Sequence, residues 1–195
     1  MGLVECDYVD TIFALEVSDG TLTDTAWVTL LIDTSNQPPL ILDSIDRVEV
    51  KNGHDFSYYP SVLDPDDSDH TIAYPLFPHW CEIQNDSVAG IAPNELWVEP
   101  LKVIVSDYCN ADTFMFVIET YLTGDVNGSG AVDIDDVVYL INYIFAGGPG
   151  PEPLDSGDAN CSGGVDIDDV VYLIAYIFSG GPPPGDLDND GLPDC

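Results

Sequence analysis

The sequence predicts a multidomain chain, with an all-β sandwich region followed by a small all-α module. Three observations carry that expectation. Residues 1–123 alternate short β-branched and aromatic runs with clusters of Gly, Pro, Asn and Asp, the pattern of strands and turns. Within that region "VSDGTLTDT", from Val17 to Thr25, returns 88 residues later as "VSDYCNADT", from Val105 to Thr113. Finally, "GDVNGSGAVDIDDVVYLINYIF", from Gly124, is written again 33 residues on as "GDANCSGGVDIDDVVYLIAYIF", from Gly157. Each copy is an acidic loop running into an apolar block of helical length.

The chain has 195 residues, with 3 Lys and Arg (Arg47, Lys51, Lys102) against 36 Asp and Glu, for a formal charge of −33. Such a surface repels nucleic acid and anionic membrane, because it offers phosphate almost no cation; metal cations are the partners it invites. High acidity often means disorder, but 45% hydrophobic and 10% aromatic residues are enough to fold, so the charge belongs on a folded surface and in loops. No apolar run is long enough to insert in a membrane. The N-terminal "MGLVECDYVD" shows neither a basic segment nor an apolar one of the secretory-signal kind.

In the β region the expected strands are "TIFALEV" at 11–17, "TAWVTLLI" at 25–32, "FSYY" at 56–59, "WCEI" at 80–83, "LKVIV" at 101–105 and "TFMFVIET" at 113–120. The period of 88 aligns residues 1–35 with 89–123, making them the C-terminal strands of an incomplete repeat. A complete domain is expected over 36–122, opened by the linker "DTSNQPPL". A lone hairpin is marginal in water, so residues 1–35 are expected to belong to a longer protein, or to complete a sheet with the next domain or another molecule. The phrase "NQPP", the "DPDD" loop at Asp64 to Asp67 and the closing "VSD" strand resemble the bacterial immunoglobulin-like or cadherin-like modules of long secreted proteins. That resemblance implies an immunoglobulin-like sandwich and an extracellular, secreted or cell-surface location, an oxidising setting that suits five cysteines without a CxxC pair.

Counted from Asp125, the first acidic loop places oxygen-bearing side chains at positions 1, 3, 5, 9 and 12 (Asp125, Asn127, Ser129, Asp133, Asp136), Gly130 at 6 and the Ala131 carbonyl at 7. The second repeats this with Asp158, Asn160, Ser162, Asp166, Asp169, Gly163 and the Gly164 carbonyl. This is the EF-hand calcium pattern with Asp where Glu is usual at the last position. Two carboxylates about 4 Å apart repel by roughly 4 kcal/mol at an effective dielectric of 20, and each loop gathers three, so a divalent cation is expected to close it. The tail "GDLDNDGLPDC", over 182–195 with its preceding prolines, begins a third loop with Asp186, Asp188, Asp190 and Asp194, resembling the short calcium repeats of thrombospondin type 3. Two calcium ions are expected, and a third at the tail.

Each loop leads into a helix with Asp in its first turn, where carboxylates favour the helix dipole. The stops are Gly147-Gly148-Pro149 and Gly180-Gly181-Pro182. Both helices are apolar nearly all round, so burial of one face leaves another needing a partner. A duplicated loop-then-helix joined by "AGGPGPEPLDSG" resembles a type I dockerin, covering residues 124 to 180 of an expected module at 123–181. The resemblance implies calcium-dependent docking to a cohesin-like domain through loop positions 10 and 11 and the following helix. Here these are Ile134, Asp135, Ile141 and Asn142, and Ile167, Asp168, Ile174 and Ala175. Their near identity would permit two binding orientations. Cellulosomal dockerins often carry Ser or Thr at those loop positions and Lys or Arg along the helix, whereas this chain has no basic residue after Lys102.

Disulfides are expected between Cys81 and Cys109 and between Cys161 and Cys195, leaving Cys6 without its partner or paired between chains. His54, His70 and His79 have no metal-ligand spacing, and Trp27, Trp80 and Trp97 are expected in the core. No nucleophile, base and orienting acid occur together, so no enzyme is expected. The alternative to docking on a cohesin-like partner is a calcium-stabilised extracellular fibre or surface-layer subunit that assembles with copies of itself by strand complementation through the N-terminal hairpin. A third reading is the non-catalytic end of a secreted hydrolase.

Overall fold

The structure is a computed structural model that describes residues 11–30, 37–65, 69–107, 109–191 and 194–195. Strands β1 (Thr11–Ser18) and β2 (Thr23–Leu30) form an antiparallel hairpin. Then come β3 (Leu40–Ile41), β4 (Arg47–Lys51), β5 (Asp55–Tyr58), β6 (Val62–Leu63), β7 (Thr71–Leu76), β8 (Cys81–Gln84), β9 (Ser87–Ile91), β10 (Val98–Ser106) and β11 (Ala111–Tyr121). Helices α1 (Ile134–Ala146) and α2 (Ile167–Ser179) end the chain, with a short 3-10 turn at Leu154–Gly157 between them. Mostly β structure followed by two helices is the fold class the sequence predicts.

The main sheet has the order β4-β11-β10-β7, with β11 and β4 parallel, and a second sheet has the order β5-β9-β8. Side chains from both meet in an aromatic cluster: Tyr58 of β5 lies edge-on to Phe116 of β11 at 4.9 Å and to Tyr74 of β7 at 6.4 Å. Val88, Leu101, Val103 and Ile118 of the same sheets are also buried, each contributing about 1.5–3 kcal/mol of hydrophobic transfer. The sandwich is immunoglobulin-like. Pro75, which cannot donate a ladder hydrogen bond, falls on β7 at the sheet edge, where it is tolerated. β4, β7 and β9 were not among the expected strands, because "RVEVK", "TIAYPL" and "SVAGI" carry charge, Pro or Gly that mutes a local strand signal.

By contacts the chain forms two units, one from the described parts of Met1–Leu42, Ser61–Ala73 and Ile104–Thr113, the other from Asp43–Pro60, Tyr74–Val103 and Phe114–Cys195. In the first, the 88-residue repeat is structural. Asp19 Oδ1 accepts from the N–H groups of Thr21 and Leu22 in the β1–β2 turn, and Asp107 Oδ1 accepts from those of Cys109 and Asn110 in the β10–β11 turn. The recurring aspartate builds the same side-chain-closed turn twice. Burial differs sharply: Leu101, Val103 and Val105 on β10 are fully buried, whereas Phe13, Leu15 and Val17 in the same register on β1 are exposed.

The second unit also holds the joint between sandwich and helices. Asn52 Oδ1 accepts from Thr123 N–H (3.1 Å) and from its hydroxyl (3.3 Å), and the Tyr121 hydroxyl donates to Asp155 Oδ2 at 3.0 Å. Lys51, a buried cation, places Nζ 3.7 Å from the same carboxylate. Burial, and then Asp155, raises the Tyr121 phenol above its usual range, so it stays a donor.

Three expectations are corrected. Cys81 does not pair with Cys109: it is a free, buried thiol at the start of β8, turned into the core, while Cys109 lies in the β10–β11 turn of the other unit and is disulfide-bonded elsewhere. Trp27 is exposed on the hairpin, over which nothing packs among the described residues. Trp97 is exposed in part, edge-on to His79 at 4.7 Å; Trp80 does pack, against Phe56 at 5.9 Å. Cys6, Asp66 and Asp67 lie outside the described residues.

Candidate metal centres and docking face

The first loop is organised by its two end carboxylates. Asp125 Oδ1 accepts from Ser129 N–H at 2.9 Å and Oδ2 from Gly130 N–H at 2.7 Å, while Asn127 Oδ1 also accepts from Ser129 N–H at 2.9 Å. Asp136, fully buried, closes the far side: Oδ1 accepts from Asn127 N–H at 3.2 Å and Oδ2 from Asp133 N–H at 2.8 Å. Asp133 in turn caps α1 by accepting from Asp135 N–H, so Asp133 and Asp136 form a reciprocal capping box. The second loop repeats the set with Asp158, Asn160, Ser162, Gly163, Asp166 and Asp169, at distances within 0.1 Å of the first. Gly130 (φ +90°) and Gly163 (φ +91°) make the sharp turn, a left-handed conformation that a Cβ would strain.

These loops concentrate buried anions without a counter-charge. Among the described residues no Lys or Arg is ion-paired with Asp125, Asp136, Asp158 or Asp169. Burial pushes the Asp136 carboxyl up, the hydrogen bonds from Asp133 and Asn127 pull it down, and repulsion from Asp125 and Asp133 raises it again; Asp169 has the same causes in its own loop. Hard oxygen donors, several of them anionic, on a sharp glycine turn fit a calcium ion in ligand chemistry. In the tail, Asp186 accepts from the N–H groups of Asp190 and Gly191, and Asp194 from that of Leu187. Among the described residues, Asp186, Asp188 and Asp194 are the acidic triplet with oxygens within 4.8 Å of one another; Asp190 is outside it. Cys161 and Cys195 are joined, tying the tail to the second loop.

The helices share one core: Val126, Val137 and Leu140 from the first repeat meet Ala159, Val170 and Leu173 from the second, with Val132 and Val165 against them. The Tyr139 hydroxyl donates to the Gly150 carbonyl at 3.1 Å and that of Tyr172 to the Pro183 carbonyl at 3.2 Å, clipping each outgoing linker to its helix. Burial of the Val-Leu face leaves another face outside. On α1 it is Ile134, Val138, Ile141 and Phe145; on α2 it is Ile167, Val171, Ile174 and Phe178. Val138 and Val171 are each 58% exposed, and Phe145 and Phe178 are 67% and 66% exposed. Of the expected docking residues, Ile134, Asp135, Ile141, Asn142, Ile167, Asp168 and Ile174 are exposed and Ala175 is half-buried. The sequence reading missed Val138, Phe145, Val171 and Phe178, although the i, i+4, i+7, i+11 spacing from each Ile would have found them.

Two EF-hand-like loops, each feeding one helix around a shared core, define a paired-loop calcium-binding interaction module. Residues 123–178 match the family described as the dockerin type I domain, and this part of the chain is a type I dockerin module. Dockerins are non-catalytic, bind calcium and dock to cohesins.

No curated protein matches the chain. Solved structures similar to it include an endo-fucoidan hydrolase of glycoside hydrolase family 107, at 20% identity over 60% of this chain and 19% of that one, with a TM-score of 0.38. Another is a pair of tandem immunoglobulin domains of titin, at 9% identity over 58% of this chain and 63% of that one, TM-score 0.35. The SrpA adhesin of Streptococcus sanguinis matches at 18% identity over 47% of this chain and 59% of that one, TM-score 0.34. The chain thus spans less than two thirds of the length of each of these proteins. Among the described residues no helix is long and apolar enough to cross a membrane.

Proposed function

We propose that the chain is a non-catalytic spacer and calcium-locked docking segment of an extracellular protein. Asp125, Asn127, Ser129, Asp133, Asp136 and the Ala131 carbonyl hold one ion, and Asp158, Asn160, Ser162, Asp166, Asp169 and the Gly164 carbonyl a second. A third sits at Asp186, Asp188, Asp190 and Asp194, on a tail held by the Cys161–Cys195 bridge. Calcium supplies the positive charge that these carboxylates lack, and with it the loops hold α1 and α2 in place. The outer faces then dock to a cohesin-like domain, with Ile134, Asp135, Ile141 and Asn142 on one repeat and Ile167, Asp168, Ile174 and Ala175 on the other. The observation that carries the docking reading is the matched exposure of the two apolar stripes, which lets either repeat present the same surface. Titration of the full chain with a type I cohesin domain, in millimolar calcium and in chelator, tests it. Heat of binding in calcium alone is expected, and equal binding in chelator would overturn the calcium-locked reading.

A second reading, assembly with copies of itself, is favoured by the hairpin. Phe13, Leu15 and Val17 are exposed where their register counterparts Leu101, Val103 and Val105 are buried, as in two sandwich strands awaiting the rest of their sheet. Light scattering during size-exclusion chromatography, with calcium and with chelator, separates the two: a monomer in both conditions removes self-assembly, and large calcium-dependent species establish it.

A further inference from the structure

We infer that the partner presents a cationic rim: a folded protein domain whose docking face has an apolar centre flanked by Lys and Arg. The inference rests on the docking reading above. Each stripe runs eleven residue steps along its helix, from Ile134 to Phe145 and from Ile167 to Phe178, about 16 Å at 1.5 Å per step. Its N-terminal end carries two exposed carboxylates, Asp133 and Asp135 on one repeat and Asp166 and Asp168 on the other. No Lys or Arg occurs anywhere after Lys102, so nothing on this face can pair with an acidic group.

Calcium does not reverse the sign. Each loop brings three carboxylates to a divalent ion and remains negative, and Asp135 and Asp168 lie outside the proposed ligand sets. An acidic partner would meet uncompensated like charge at the rim, which suppresses association, whereas Lys or Arg there steers the encounter and fixes orientation. Three other occupants are disfavoured on the same ground. A second copy brings another −33 and sets aspartates against aspartates, and nucleic acid and anionic membrane repel this surface for the same reason. The rim charge is duplicated with the stripe, so both orientations offer one electrostatic pattern: anionic at the helix N-terminus, aromatic at the other end.

The test is calorimetric titration of the full chain in millimolar calcium. The probes are a cohesin domain with Lys and Arg around its docking face and a variant of that domain with those residues changed to Glu. The expected result is binding to the basic form, weakening at least tenfold between about 50 mM and about 500 mM NaCl, and at least tenfold weaker binding to the Glu form. D135K/D168K should reverse the preference. D135N/D168N, which removes charge without adding any, should fall between the two, and calcium-dependent thermal melting shows that both variants fold. Equal affinity for the two probe forms, or tighter binding to the Glu form, overturns the cationic rim and leaves cohesin docking standing. Silence of both forms removes the docking reading together with the inference.

Discussion

Exchanging Asp136 for Asn separates two roles that one side chain plays. Its two oxygens accept from Asn127 N–H at 3.2 Å and Asp133 N–H at 2.8 Å, the second being half of the α1 capping box. An amide offers one acceptor oxygen, so one buried N–H is stranded at a cost of about 1–3 kcal/mol. The exchange also removes a fully buried anion without a counter-charge, and that gain offsets the loss in the absence of metal. In chelator the variant should therefore unfold within about 1 kcal/mol of the parent. In calcium the balance differs, because an ion at a thousandfold excess over its Kd contributes about 4 kcal/mol, and losing an anionic ligand forfeits most of that. The assay is urea unfolding of the parent, D136N and D169N in millimolar calcium and in chelator, with calorimetric counting of bound ions. Each variant is expected to lose one tight ion and to be destabilised mainly in calcium. Equal destabilisation in both conditions with an unchanged ion count would refute the reasoning and leave Asp136 and Asp169 as helix caps only.

Three further outcomes are expected. The Cys81 thiol is pushed up to about 12, by burial first and then by the negative charge of Glu99. The fold thus holds its proton more tightly than the unfolded chain does: this contribution is present below the thiol's ordinary value of 9.0 and is lost as pH rises toward about 12. Iodoacetamide at pH 8 should leave Cys81 unmodified in the folded protein and alkylate it in guanidinium, as read by mass spectrometry. For docking, F145A or F178A alone should leave a cohesin domain bound through the intact repeat, while the double variant weakens binding at least tenfold by calorimetry. Replacing both Cys161 and Cys195 by Ser opens a bridge of sequence separation 34 and should cost about 4 kcal/mol in the chain-entropy account, measured by denaturant unfolding in calcium.

What the sequence by itself determined is local. The spacing of Asp, Asn, Ser and Gly within each loop sets side-chain-to-backbone hydrogen bonds over a few residues, and both copies close alike for that reason. Helix starts at Asp133 and Asp166 and stops at Gly147 and Gly180 are local in the same sense. So is the aspartate-closed turn repeated at Asp19 and Asp107. Only tertiary structure decided the rest. Each helix has two apolar stripes, and contact between Leu140 and Leu173 neighbourhoods in one core selects which is buried, exposing Val138, Phe145, Val171 and Phe178. Cysteine spacing leaves pairing open, and the β8 register that turns Cys81 inward depends on β9, not on its own neighbours. The hairpin shows the division most plainly: its turn is written in the sequence, but burial of Phe13, Leu15 and Val17 depends on strands far from them, because hydrophobic transfer rewards only surface that another element covers.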